Sequence, residues 1–167
     1  MRVNKISKPA LAAVTLSVAV LMSGCGPIRY DHPLPLSIRE SDDGMEVAVC
    51  EPTSAHRVYV GVRNSATDDK WLTLSDLEGS TEIQAESVFE VGQSLPGMSA
   101  VVDRTPRIPA EGEDVNVNIQ DKGDGEDTLT VFFAAVPWSE LDGKWFFTDG
   151  GQSSDPCGHY EGFKSAH

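Results

Sequence analysis

The segment "VNVNIQ", residues 115–120, alternates apolar and polar side chains without a break, with Val115, Val117 and Ile119 all on one side. A repeat of two matches the pleat of a β-strand and cannot build an apolar stripe on a helix, whose period is 3.6. The pattern resumes in "TLTVFFAAV" through Leu129, Val131, Phe133 and Ala135. Between the two lies "DKGDGED", residues 121–127, rich in residues that tolerate left-handed backbone. Together they predict a β-hairpin.

The same reading extends along the chain. "MEVAVC" places Met45, Val47 and Val49 on one face, and "VYVGVR" does so with Val58, Val60 and Val62. Asp43-Gly44 is hairpin-turn chemistry, so "LSIRESDDGMEVAVC" holds a first strand, a turn and a second strand. "DKWLTLS" adds a strand around Leu72 and Leu74, and "GKWFFT" adds one after the Asp142-Gly143 turn. "STEIQAESVFEVG" admits two readings. Thr81 and Gln84 fit a helix capping box, but Glu82, Glu86 and Glu90 would then stack like charges at i, i+4, which favours "SVFEV" as a strand. At least six short strands without a long helical segment predict an all-β fold, an antiparallel β-sandwich.

The N-terminus is of another kind. "MRVNKISKP" carries Arg2, Lys5 and Lys8 and no acid, and an apolar run from Ala10 to Met22 follows. This is the layout of a secretory signal peptide over residues 1–24, and the run is too short to cross a bilayer. Ser23, Gly24 and Cys25 close it. The stretch Leu21 to Cys25 resembles the lipobox of bacterial lipoproteins, with Met22 where that family most often has leucine. The resemblance implies that Cys25 receives a diacylglyceryl group and becomes the new N-terminus, which would hold the protein on the extracytoplasmic face of the cell membrane. Stable anchoring needs more than one acyl chain, and such an anchor supplies that. Residues 25–36 then read as lipid anchor and Pro-rich tether, "GPIRYDHPLPL" after the cysteine, extended at about 3.1 Å per residue. Residues 37–160 form the sandwich domain and 161–167 a C-terminal tail.

Signal cleavage removes three of the 13 basic residues and none of the 26 acidic ones, leaving 10 against 26, a formal charge of −16. A chain so acidic, with no basic stripe, is repelled by phosphate backbones, which excludes a nucleic-acid partner. With Cys25 assigned to lipid, Cys50 and Cys157 are an even pair in an oxidising compartment and predict a disulfide. Cys50 followed by Trp71 resembles the Cys-Trp-Cys signature of immunoglobulin domains, implying immunoglobulin-like or related topology, although Cys157 stands beyond the usual strand F position.

Chemistry-bearing spacings are absent. The EF-hand pattern requires acids where the 121–127 loop has Asp121, Gly123 and Gly125, so that loop reads as solvated turn, with an irregular calcium site as the open alternative. "DPCGHYEG" sets Asp155, Cys157, His159 and Glu161 at alternate positions, but a bridged Cys157 cannot ligate zinc. "GQSLPG" lacks nucleophile-elbow spacing, and Ser54 and His56 have no orienting third group. We assign no catalytic residue, metal or cofactor. Trp138, Trp145, Phe146 and Phe147 are candidate core residues, and because neighbours on a strand face opposite ways, some of them are expected to be exposed as a partner surface. The sequence thus predicts a membrane-anchored, non-enzymatic binding module for an unknown protein or envelope ligand. Two alternatives stay open. One is a small hydrolase or metal-dependent enzyme, marked by His56 or His159 meeting two carboxylates. The other is a protein-interaction adaptor, marked by a contiguous exposed aromatic patch.

Overall fold

A computed structural model describes residues 33–64, 70–101, 107–121 and 128–166. The elements are β1 (Leu36–Ser41), β2 (Gly44–Val49), β3 (Thr53–Arg63), β4 (Leu72–Ile83), β5 (Ser87–Glu90), β6 (Met98–Ala100), β7 (Asp114–Gln120), β8 (Thr128–Phe133), α1 (Trp138–Leu141), β9 (Trp145–Phe147), β10 (Gln152–Ser153) and α2 (Gly158–Ala166). They form two five-stranded sheets of antiparallel pairs, in the orders β10-β9-β1-β2-β5 and β6-β4-β3-β7-β8. The expected β-sandwich is the fold.

Alternation sets the core. Leu36 and Ile38 of β1, with Met45, Val47 and Val49 of β2, point between the sheets. There they join Val58, Val60 and Val62 of β3, Val115, Val117 and Ile119 of β7, and Val131 and Phe133 of β8, all at most 1 % exposed. A one-residue slip in any of these strands would turn that set outward, so burial fixes the register. In the first hairpin Ser41 pairs with Gly44, which puts the turn at Asp42-Asp43, one residue before the expected Asp43-Gly44. The β7–β8 hairpin aligns Val117 with Val131 and Ile119 with Leu129, as the alternation predicts. It ends at Phe133. Ala135 takes φ +46° and is exposed, so the apolar alternation does not continue through it. "SVFE" is a strand, while Thr81 lies in β4 and Glu86, at φ +62°, makes the turn between them. Register shifts interrupt β3–β4 pairing near Ala55–Arg57 and Val60–Gly61. Leu72 is consequently 42 % exposed while Leu74 is buried. Gly79 permits the close approach of β6, because a Cβ there would stand 2.2 Å from the Gly97 carbonyl oxygen.

The outer face of the β1 sheet is also covered. Ala48, Cys50, Trp145, Phe147, Cys157 and Tyr160 form a second buried cluster separate from the main core. Cys50 and Cys157 are bridged, with Cα atoms 5.4 Å apart and a sequence separation of 107. The bridge pins the start of α2 onto the sheet, and Ser37 Oγ donates to the Pro156 carbonyl at 2.5 Å beside it. Arg39 lies over the Trp145 ring at 4.5 Å and pairs with Glu46. The strand "WFF" therefore has both faces buried. Phe146 packs inward 6.4 Å from Phe133, and Trp145 and Phe147 pack outward under α2. Trp138, Trp145, Phe146 and Phe147 are core residues, as their candidacy for the core predicts, at 5, 2, 7 and 0 % exposed, and no partner patch is formed among them. The bridge does not reproduce the immunoglobulin arrangement, because it lies outside the intersheet core and Cys157 precedes a helix. α2 also runs through the boundary expected at residue 160, so residues 161–166 are helix rather than tail. At the other end of the domain segment, Leu34 N donates to Thr148 Oγ1 at 2.9 Å and Cys50 N to the Pro35 carbonyl at 2.8 Å. The last residues of the expected tether thus dock on the domain.

A loop of that length makes the bridge a large constraint on the unfolded chain, on the order of 4 to 5 kcal/mol in the chain-entropy model. Reduction should add two daltons to the intact mass and lower the unfolding free energy from urea melts by an amount of that order. A Cys50→Ala/Cys157→Ala double variant should unfold at the same midpoint with or without reductant. Equal midpoints for the oxidised and reduced wild type would contradict the assignment.

Candidate functional site

The outer face of the β3 sheet has no helix over it among the described residues. Alternation points Tyr59, Gly61 and Arg63 of β3, Asn116 and Asn118 of β7, and Thr130 and Phe132 of β8 to this side, opposite the buried valines. Gly61 pairs with Asn116, and Asn116 pairs with Phe132, so a glycine and an amide sit between two bulky neighbours. Without a side chain at 61, the Tyr59 ring folds over the strand, and a Cβ at 61 would stand 2.5 Å from Tyr59 Oη. Trp71, directly before β4, meets Phe132 of β8 with ring centroids 5.9 Å apart and planes tilted 51°. Because β3 and β7 lie between β4 and β8, the two rings meet above them. The Arg63 guanidinium caps the indole at 4.7 Å. Tyr59, Trp71 and Phe132 are all partly exposed.

The charges in this patch are paired. Arg57 holds Asp76 through two hydrogen bonds of 2.8 Å, and Arg63 holds Asp114 at 3.0 Å. The Asp114 carboxylate also accepts the Ala135 N–H at 3.0 Å. Asp76 and Asp114 are only 6 and 8 % exposed, so each needs its arginine. Asn118 Nδ2 donates to Thr130 Oγ1 at 2.6 Å. Two polar atoms here are buried without a hydrogen-bond partner: Asn116 Oδ1, an acceptor, and Arg63 Nε, a donor. Such an atom costs about 1–3 kcal/mol of unreturned desolvation. Asn116 and Arg63 are diagonal neighbours across β7 and β3 on this face.

The residues singled out from sequence do not converge. Cys25, with the rest of residues 1–32, lies outside the described residues, as do residues 122–127 of the acidic loop. His56 is an exposed residue inside β3, and Ser54 donates to Glu82 at 2.9 Å. His159 is 2.8 Å from one carboxylate, Asp149, and stacks on Phe147 at 5.1 Å. Asp155 makes a turn by accepting the Cys157 N–H at 2.9 Å, and Cys157 is bridged, so the four alternating residues of "DPCGHYEG" are drawn apart. Among the described residues no group of three or more His, Cys, Asp or Glu is placed to hold a metal ion, and no helix is long and apolar enough to cross a membrane. A cavity of about 280 Å³ opens beside β5, lined by Ile83, Val88, Phe89, Leu95 and Pro96 with one carboxylate, Glu82. The chain matches no protein-family model, no curated protein and no solved structure.

Two carboxylates carry the electrostatics elsewhere. Burial would raise the Glu113 carboxyl, but two hydrogen bonds from Arg107 and one from the Ala110 N–H hold it below its ordinary value. Glu51 is lowered chiefly by the hydrogen bond from Tyr160, at 2.6 Å, and then by that from Lys164, at 3.0 Å. Burial, and then the bond to Glu51, raise the Tyr160 hydroxyl well above its ordinary value. Tyr160 in the unfolded chain ionises near pH 10 while the folded residue stays protonated, so its contribution is present below about pH 10 and lost above it. The stability difference between wild type and Tyr160→Phe should shrink as pH rises from about 8 to 11. For Glu51, a lowered carboxyl, the contribution is present above the ordinary carboxylate range and lost as pH falls through it. The gap to Glu51→Gln should therefore narrow between about pH 6 and 3. Urea midpoints across both ranges check these signs, and flat gaps would contradict them.

Proposed function

We propose that this chain is a lipid-anchored extracytoplasmic β-sandwich that binds an envelope ligand through the outer face of the β6-β4-β3-β7-β8 sheet and catalyses no reaction. The observation that carries the reading is the partly exposed pair of Trp71 and Phe132, capped by Arg63, with the partly exposed Tyr59 on the same sheet face. Aromatic side chains and arginine supply most of the energy at binding surfaces, since they bring large contact area at low entropic cost. The anchor rests on the lipobox-like run ending at Cys25. The enzyme alternative asks for a histidine with two carboxylates, whereas His159 pairs with Asp149 and His56 stands exposed on a strand.

The adaptor reading is favoured by the same aromatics and by the position of β8 as the terminal strand of its sheet among the described residues. Six uncharged residues there, "TLTVFF", carry no proline or lysine to discourage pairing with another strand.

Cys25→Ala should move the protein from the membrane fraction to the medium, and unchanged fractionation would count against lipidation. For the site, the full chain carrying Cys25→Ala should sediment with washed envelopes of its own cells. Adding Trp71→Ala should lower that retention at least tenfold while the unfolding free energy from urea melts changes by less than about 1 kcal/mol, as expected for a partly exposed residue. Retention that survives both Trp71→Ala and Phe132→Ala would remove this face from consideration.

A further inference from the structure

We infer that the Trp71–Phe132–Tyr59 face takes a neutral carbohydrate chain, with Asn116 and Arg63 reading one of its hydroxyl groups. The inference rests on the binding role proposed above and adds the chemical class of the ligand.

The unpartnered atoms come first. Asn116 Oδ1 can only accept and Arg63 Nε can only donate. A hydroxyl group does both, accepting the Nε–H and donating to the amide oxygen. An amine, a carboxylate or a phosphate lacks one of the two capacities at neutral pH.

The charge state of the patch comes second. Arg57 and Arg63 are each committed to a carboxylate, Asp76 and Asp114. Among the described residues the patch therefore offers no spare arginine to an anionic polymer, and the excess of 26 acidic residues over 13 basic ones repels one. A cationic ligand would meet the Arg63 guanidinium on the indole. Electrical neutrality is what this face accepts.

The rings come third. The faces of indole and phenyl rings are electron-rich, and the C–H groups on one side of a pyranose are polarised toward them. The tilted Trp71–Phe132 pair and the Tyr59 ring give a sugar chain more than one stacking position on an open sheet face. Gly61 provides the depression beside them. Trp71 packs against the Arg63 guanidinium, so a sugar reaching that side chain enters by displacing the edge of the indole. That movement gives an optical signal, because Trp138 and Trp145 are buried and Trp71 is the partly exposed tryptophan of the three in the chain.

The purified full chain in detergent should be titrated with neutral oligosaccharides: cello-, manno-, galacto- and N-acetylglucosamine oligomers. Dextran sulfate and an uncharged β-strand-forming peptide serve as contrasts. At least one neutral series should bind, shifting tryptophan emission to shorter wavelength, with affinity rising with chain length. Trp71→Ala should abolish the shift and weaken binding measured calorimetrically at least tenfold. Asn116→Ala should weaken it about tenfold. Gly61→Ala, whose Cβ pushes on the Tyr59 ring, should weaken it while the unfolding free energy changes by no more than about 1 kcal/mol. Failure of every neutral series to bind would overturn the inference. So would preference for dextran sulfate or the peptide, or binding indifferent to Trp71 and Asn116. If Trp71-dependent envelope retention persists while no neutral sugar binds, the carbohydrate assignment fails and the binding role stands. Loss of both removes the role as well.

Discussion

The Cys50–Cys157 bridge lets the β1 sheet be buried on both sides. A two-layer sandwich covers one face of each sheet, and a strand such as "WFF" would then leave Trp145 and Phe147 in water. Pinning α2 against the outer face converts that liability into a second small core beneath Tyr160. Fully burying a side chain of this size contributes roughly 1.5–3 kcal/mol. The polar contacts on the same side depend on this closure: Ser37 with Pro156, Arg39 over Trp145, and Tyr160 with Glu51. Their common origin is a covalent link between residues that are far apart in sequence.

The other sheet is organised by the main core alone. Its inward valines leave little freedom, and its outward positions are set by the same alternation. Where those positions carry Asn118 and Thr130, the strands hydrogen-bond across the face. Where they carry Tyr59, Gly61 and Phe132, the face becomes uneven and a tryptophan from the neighbouring strand lies across it. The Arg57–Asp76 and Arg63–Asp114 pairs hold this region in register. Their carboxylates are nearly buried and could not tolerate loss of their partners.

Much of this was legible in the chain. The hairpin from Val115 to Phe133 follows from alternation, and the pairing of Val117 with Val131 is its direct consequence. The first turn was misplaced by one residue because Asp42, Asp43 and Gly44 are all turn formers, and only the pairing of Met45 with Glu40 selects among them. The burial of Trp145 and Phe147 was not legible, since it depends on α2, a nine-residue helix containing two glycines and only Tyr160 and Phe163 as large apolar side chains. Tyr59 and Phe132 stand out of phase with their inward neighbours, a local signal that could have marked the outer patch. Trp71 joins them only through the strand order β4-β3-β7-β8, which no local pattern encodes.

The concessions in local stability are concentrated on one face. Gly61 in the middle of β3 costs roughly 0.5–1 kcal/mol relative to alanine. Filling that position would force the Tyr59 ring away, so the glycine and the ring arrangement belong together. Asn116 Oδ1 and Arg63 Nε are buried without partners immediately beside it, two of the four such side-chain atoms among the described residues. A face selected only for stability would carry a β-branched residue at 61 and an apolar one at 116. The opposite outer face, by contrast, is closed by a helix, a disulfide and a fully buried Phe147. Departures from local consistency tend to collect where a surface is kept for binding. Here they collect under Trp71, on the sheet that no helix covers.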